Sequence, residues 1–487
     1  MSMTSRRQWL ALSSAPLWGG LCTPLLAATA PTAVISPHMT RLSDYMAQAP
    51  LATLPTEVAE QAKHHLLDTL ASMVSGAELE PGQAARRFAS LHAGQGRVPI
   101  IGMKGLFSAG DAALVHGMMA HADETDDSHN RSRTHPGCAV VPAALAVAQA
   151  LGCDGARLLQ SVALGYDIGT RIVMAMGGFD LSYKSSLATH SIGGNFCAAA
   201  AAAGVAGLNA QQMRWVLDYA SQQSSGILAW RRDTDHIEKS FVFGGMPARN
   251  GVLSALGVHA GWNGVTDIFS GQDNFFQAYA PQARLELLTQ ELGARFEIVH
   301  TDLKKWTVGS PIQGPLDAIE LLQQRHDFTT DQIHQVTVRL APSVAAVVDN
   351  RDMPDICLQH MVAVMLMDRT ASFKAAHDKA RMSDPATLRQ RAKVQLVRDE
   401  ALVPALPVRV AVVEIELADG RTLRERVSAV RGTPRNPMSR QEVVAKARDL
   451  MAPVLGASSA QSLIGSVYRI ESVPDVRVWN AWLSVPG

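Results

Sequence analysis

The sequence predicts a mainly α protein, a large all-α helical domain joined to a smaller α+β domain, and three observations carry that expectation. From Leu51 to about Gly264 apolar residues recur at helical spacing, as in Val58, Ala62, Leu66, Leu70 and Met73. After about residue 296 the period changes. Val336, Val338 and Leu340 alternate with polar residues, as do Val413, Ile415 and Leu417, and the second run meets Asp419-Gly420 before residues 422–427, which reads as a β-hairpin. Finally, Pro434 and Pro437 mark a boundary before Ser439-Arg440-Gln441-Glu442, a capping box that opens one more helix running to Met451.

Within the first half, further helical periods run over residues 158–174 and 213–219, and Ala112 to Ala120 and Ala139 to Leu151 read as core helices. Ala198 to Ala203 is an alanine run flanked by Gly193, Gly194 and Gly204. Small residues let helices approach closely, so this segment is expected at the centre of the bundle. In the second half, residues 316–325 and 359–367 are helical stretches between the strands. The capped helix is free to return to the first domain.

The chain has 487 residues, 47% of them hydrophobic, which is enough for more than one well-formed core. Its 44 basic side chains equal its 44 acidic ones, so no net field favours nucleic acid or anionic lipid. At the N-terminus, Arg6-Arg7 precedes a weakly apolar run broken by Pro16, Gly19, Gly20 and Pro24, and Ala28-Thr29-Ala30 fits a small-x-small cleavage pattern. Residues 1–30 therefore read as a twin-arginine-type signal peptide, with periplasmic localisation and no stable membrane insertion after cleavage. The alternative is an uncleaved anchor. Cys138, Cys153, Cys197 and Cys357 lie in apolar contexts with no C-x-x-C, the pattern of buried free thiols.

The densest chemistry is the run His121-Ala122-Asp123-Glu124-Thr125-Asp126-Asp127-Ser128-His129, followed by Thr134-His135-Pro136-Gly137. Four carboxylates and three imidazoles between two apolar helices suit the mouth of a binding site, where general acids and bases are placed; the alternative is a solvated acidic loop. His190 stands before the small-residue helix, whose N-terminus suits a substrate carboxylate, or else it is a satisfied core histidine. Lys239 enters an apolar, glycine-rich turn, where it either pairs with Glu238 or reaches an anion. Lys304-Lys305-Trp306 leads to a tight turn and Gln313. No nucleophile elbow, phosphate loop, dinucleotide fingerprint or H-E-x-x-H occurs, which leaves acid/base chemistry without a cofactor or metal as the economical class.

These segments in this order, Glu-x-Asp-Asp-Ser with Thr-His-Pro-Gly, Thr189-His190-Ser191-Ile192-Gly193-Gly194, Lys239 before its glycines, and Lys305-Trp306 leading to Leu316-Asp317-Ala318, resemble the MmgE/PrpD family. That family includes 2-methylcitrate dehydratase, cis-aconitate decarboxylase and iminodisuccinate epimerase. The resemblance covers residues 40–473 and implies an all-α domain from both chain ends (38–295 and 437–482), an α+β lid (296–436), a homodimer, and no metal or organic cofactor. It implies catalytic roles for Glu124, His135, His190 and Lys239, and substrate contacts for Ser128, Asp127, Lys305, Gln313 and His360. Three positions depart from the family: Glu124 stands for the commoner aspartate, Gln313 for a histidine and His360 for a tyrosine. An amide is no general acid near neutral pH, so His360 is the expected substitute for the missing histidine. The implied activity is that of a lyase or isomerase acting on a small di- or tricarboxylate, like 2-methylcitrate dehydratase. An epimerase of a related carboxylate, or an exported carboxylate-binding protein without turnover, is the alternative.

Overall fold

The structure is a computed structural model that describes residues 34–483 apart from 93, 95 and 407. The signal peptide expected over residues 1–30 lies outside the described residues. Among these, no helix is long and apolar enough to cross a membrane.

Two apolar cores organise the chain. The first gathers buried residues from Met39 to Leu303 and, from the far end of the sequence, from Met438 to Leu483. At its centre lies the helix Thr189–Ala206, in which residues 189–205 are all buried. The helices Gly155–Met176, Gly137–Leu151 and Met246–His259 pack around it. Small residues permit this: a Cβ at Gly169 would collide with the Gly193 carbonyl and the Cys197 thiol. The alanine run is thus in the middle of the bundle, as its composition predicts.

The capping box is present, with Ser439 accepting from the Glu442 amide, but the helix continues beyond Met451, spanning Arg440–Leu455. It packs on the helix Thr56–Gly76, where Lys446 meets Asp68 at 2.7 Å with both side chains buried. Two stretches of the sequence, 378 residues apart at Asp68 and Lys446, are thereby joined by a buried ion pair and an apolar face.

The second core runs from Trp306 to Val430 and holds a four-stranded sheet of order β2-β1-β3-β4, with β1 Ile333–Leu340, β2 Val394–Arg398, β3 Ala411–Leu417 and β4 Thr422–Val427. β1 pairs with β2 in parallel and with β3 antiparallel, Val338 opposite Val413. The β3–β4 hairpin turns at Asp419-Gly420, where Gly420 takes φ 86°, a backbone shape that favours glycine. The helices Ser310–Arg325 and Leu358–Asp368 pack against one another in the same core.

Three local features differ from the sequence expectation. Strand β2 has no counterpart in the sequence expectation, because Val394 is its one buried residue and no alternation marks it. The first half is not helical throughout: residues 121–136 form an irregular loop between the helices Ala109–Ala120 and Gly137–Leu151. Phe241–Gly245 is no turn but a π-helical segment, closed by the Met246 N–H bonding to the Phe241 carbonyl. Such segments are rare and often mark functional sites. It fits here because Gly244 lies against Gly117, so close that a Cβ on either would strike the other's carbonyl.

Candidate active site

The loop after the helix Ala109–Ala120 is acidic and yet buried: every residue from 121 to 129 is inside. Burying a carboxylate is costly unless it is paired and hydrogen-bonded. Each of the four is paired, and Lys304 serves two of them. Asp123 accepts from the Thr125 amide and hydroxyl at 2.9 and 2.6 Å and meets His377 Nε2 of the α+β domain at 3.0 Å. Glu124 is ion-paired with Lys239, and Lys304 Nζ lies 3.7 Å from its carboxylate. Asp126 accepts from His121 Nδ1 at 2.8 Å, from His135 Nδ1 at 3.1 Å and from Lys304 at 3.4 Å. Asp127 binds His65 Nδ1 at 2.8 Å, the Gly137 amide at 3.0 Å and the Tyr166 hydroxyl. Lys304 also donates to the Glu124 carbonyl at 2.8 Å, and Lys446 to that of Thr125 at 3.0 Å.

The electrostatics follow from this pairing. Burial pushes the Glu124 and Asp126 carboxyls up, but Lys239 and Lys304 for the first, and His121, His135 and Lys304 for the second, hold both well below the ordinary carboxylate range. Burial pushes His135 down to about 4 even though Asp126 pulls the other way, so its ring is neutral near pH 7 in the empty site. Burial, with His135 and Arg133 nearby, also lowers His190.

Above this network opens a cavity of about 410 Å³. His135, His190, His236, Lys239, Glu124 and Ser128 line it from the helical side, and Arg351 and Arg409 reach it from the α+β domain. Arg133 and Arg231 complete a ring of five cations against two acids, Glu124 and Asp233. His190 lies in the first turn of its helix and stacks on Phe243 at 4.0 Å between ring centroids, while His121 stacks on Phe243 at 4.3 Å. The π-helical segment thus sets an aromatic wedge between two imidazoles.

Glu124, Ser128, His135, His190 and Lys239 are therefore brought together as their sequence pattern predicts, with Lys239 pairing with Glu124 rather than with Glu238. Four other expected residues lie elsewhere. Asp127 sits beneath the cavity, fully engaged by His65, Tyr166 and Gly137. Lys305 pairs with Glu320 at 2.5 Å and covers Trp306 at 4.5 Å, lining a separate groove near β4. The lysine of that motif that points inward is Lys304, 2% exposed. Gln313 lines a smaller neighbouring cavity of about 220 Å³, and its amide bonds the Trp306 N–H at 3.0 Å and the Trp306 and Val308 carbonyls at 2.7 and 2.8 Å. His360 is buried in the α+β domain with neither ring nitrogen partnered, and it is absent from the cavity wall. It is no replacement for the missing histidine.

Lys304, His236, Arg351 and Arg409 escaped the sequence reading. The motif around Lys239 contains His236, so a signal for it existed; the two arginines come from separate loops with no local pattern. Among the described residues two sets bring metal-ligand atoms close together, His121 with Asp126 and Cys138, and His121 with Glu124 and His236. In both, Lys304 touches the carboxylate, and Lys239 touches it in the second. Ammonium groups there disfavour a dication and favour an anion.

The MmgE/PrpD N-terminal domain matches residues 40–288 and the MmgE/PrpD C-terminal domain residues 306–470. A cis-aconitate decarboxylase-like protein of Aspergillus oryzae, oryM, is 24% identical, with 91% of this chain and 96% of that protein aligned. The cis-aconitate decarboxylase of Homo sapiens is 24% identical over 89% of this chain and 92% of its own, and that of Aspergillus terreus 23% over 89% and 93%. The chain belongs to the MmgE/PrpD family.

Proposed function

We propose that the protein is a lyase acting on a small di- or tricarboxylate by general acid/base catalysis. Family membership and the decarboxylase relatives support the coarser statement, a lyase of carboxylates. One observation carries the finer one: His135, held at Nδ1 by the buried Asp126, faces a cavity ringed by Lys239, Arg133, Arg231, Arg351 and Arg409. An imidazole fixed in orientation by a carboxylate suits proton transfer to or from substrate, and a ring of cations suits a substrate with several carboxylates. Dehydration of a hydroxylated acid is the reaction favoured here. An isomerase of a related carboxylate is the second reading, favoured by Gln313, whose amide is committed to backbone groups and has no titratable proton to give.

The test is turnover of a panel of hydroxylated di- and tricarboxylates and of cis-aconitate, with wild type and His135→Gln melted and assayed from the same preparation. Loss of general acid/base help lowers kcat by about 10²-fold or more, with the melting temperature little changed. Normal turnover by the variant would remove His135 from the mechanism.

A further inference from the structure

We infer that His236 is a further catalytic residue, the proton acceptor in this reaction, with His135 as the proton donor. The inference rests on the carboxylate-lyase reading and names a residue that reading does not supply. Elimination of water takes one proton from carbon and gives one to oxygen, and the chain lacks a histidine at Gln313 and has His360 buried away from the cavity. His129, His135, His190 and His236 present imidazoles to the cavity wall, and His129 is engaged on both ring nitrogens by Ser132 and Glu297.

Its placement is built. His236 takes φ 62°, ψ 5°, a left-handed backbone that side-chain-bearing residues adopt at a conformational cost. Strain of this kind persists where the surroundings over-determine it, often at functional sites. Here Asp233 fixes the loop by accepting from the Asp235 and Lys239 amides at 3.0 and 2.9 Å, and the Ser240 amide bonds the His236 carbonyl at 3.0 Å. The ring is 5% exposed, lies 5.3 Å from that of His121, and its Nε2 is buried without a hydrogen-bond partner. Because this residue lies on the cavity wall, a ligand there can satisfy that nitrogen, which sets it apart from the equally unpartnered His360.

Burial pushes both rings down, but their charged neighbours differ. His135 has the Asp126 carboxylate on Nδ1; the ring is neutral in the empty site, and the carboxylates of a bound substrate add to Asp126 in favouring its imidazolium. Facing His236 are Lys239 and His121, which together with burial disfavour its charged form, and Glu124 and Asp123, which act in the opposite sense but are themselves paired with Lys239 and His377. Unlike environments for two titratable groups in one cavity mark base and acid. His236 takes the proton from the carbon beside a substrate carboxylate and the C–H electron pair becomes the new C=C bond. The C–O bond on the neighbouring carbon breaks as its oxygen takes the proton from His135, so water leaves and the two rings exchange protonation states.

The test uses full-length protein labelled at histidine Cε1, with tricarballylate, an unreactive tricarboxylate, as the probe. Tricarballylate is expected to bind and to shift the ring signal that is missing from His236→Gln. His236→Gln and His236→Asn, the latter tolerant of positive φ, are expected to melt with wild type and to bind the probe within threefold of its Kd. Their kcat on the hydroxylated acid found for wild type should fall about 10²-fold or more, with loss of the acid limb of the kcat/KM profile, since a base fails when protonated. Variants that keep kcat within twofold, or a His236 signal unmoved by bound tricarballylate, overturn the assignment and leave the lyase reading standing. If wild type neither binds the probe nor converts any acid in the panel, the lyase reading falls and the assignment with it.

Discussion

Lys304 and Lys305 are neighbours in sequence and sit in opposite surroundings. Around Lys304 is the acidic loop, where each carboxylate is buried and has a named cation or a set of donors. Around Lys305 is a groove with as much charge, holding Glu320, Glu425, Arg426, Arg431 and Glu442, but its pairs are partly exposed, as with Lys305 and Glu320 at 20% and 28%. The difference is one of consequence. In the groove, water replaces a lost partner, so the pairs contribute little; in the loop nothing replaces it, and each pair holds its neighbours in place.

Removing Lys304 should have the largest effect. Lys304→Met leaves Glu124 and Asp126 with less positive charge in a buried site, and breaking such a network costs about 3–5 kcal/mol, to be read from denaturant midpoints. A loss below ~1 kcal/mol would place the loop in the same class as the groove.

A middle case joins the two regions. His377 presents Nδ1 to the Phe373 carbonyl at 2.7 Å and Nε2 to Asp123 at 3.0 Å. Nδ1 donates to the carbonyl and Nε2 lies within ion-pair distance of the carboxylate, a setting that favours the imidazolium. Burial lowers its pKa, but the hydrogen bond and charge of Asp123 outweigh this and push it up to about 9. Because the folded value lies above that of a free imidazole, the stabilisation is complete below about pH 6.5 and is lost as pH rises through about 9. Wild type should lose on the order of 2 kcal/mol across that window, and His377→Gln should flatten the curve. A wild-type curve already flat would show that the contact is not charged.

The smallest effect belongs to the groove. Lys305→Ala should change stability by no more than about 1 kcal/mol and leave kcat unaltered. A large fall in turnover would return Lys305 to the site from which its position removes it.

The same contrast explains what was legible in the sequence. Helix periods, the hairpin at Asp419-Gly420 and the capping box at Ser439 are local patterns, and each appears in the fold. The core of the site was legible because Glu124, Ser128 and His135 lie within one short stretch and His190 and Lys239 stand in distinctive surroundings. The choice between Lys304 and Lys305 was not, since adjacent residues point apart and a turn decides which one faces inward. His236 depends on a left-handed backbone that no local pattern announces. Arg351 and Arg409 meet the helical side only through tertiary packing, and β2 is too short and too little buried to alternate.

The Phe243 ring between His121 and His190 acts as an insulator. Its two faces are covered by imidazoles stacked nearly parallel, at 16° and 17°, and a benzene ring offers no site for a proton to rest. A proton shared between His121 and Asp126 therefore has no route across that ring to His190. The link between the buried acidic network and His190 runs instead around the ring, through His135, which bonds Asp126 and whose own ring centroid lies 5.5 Å from that of His190.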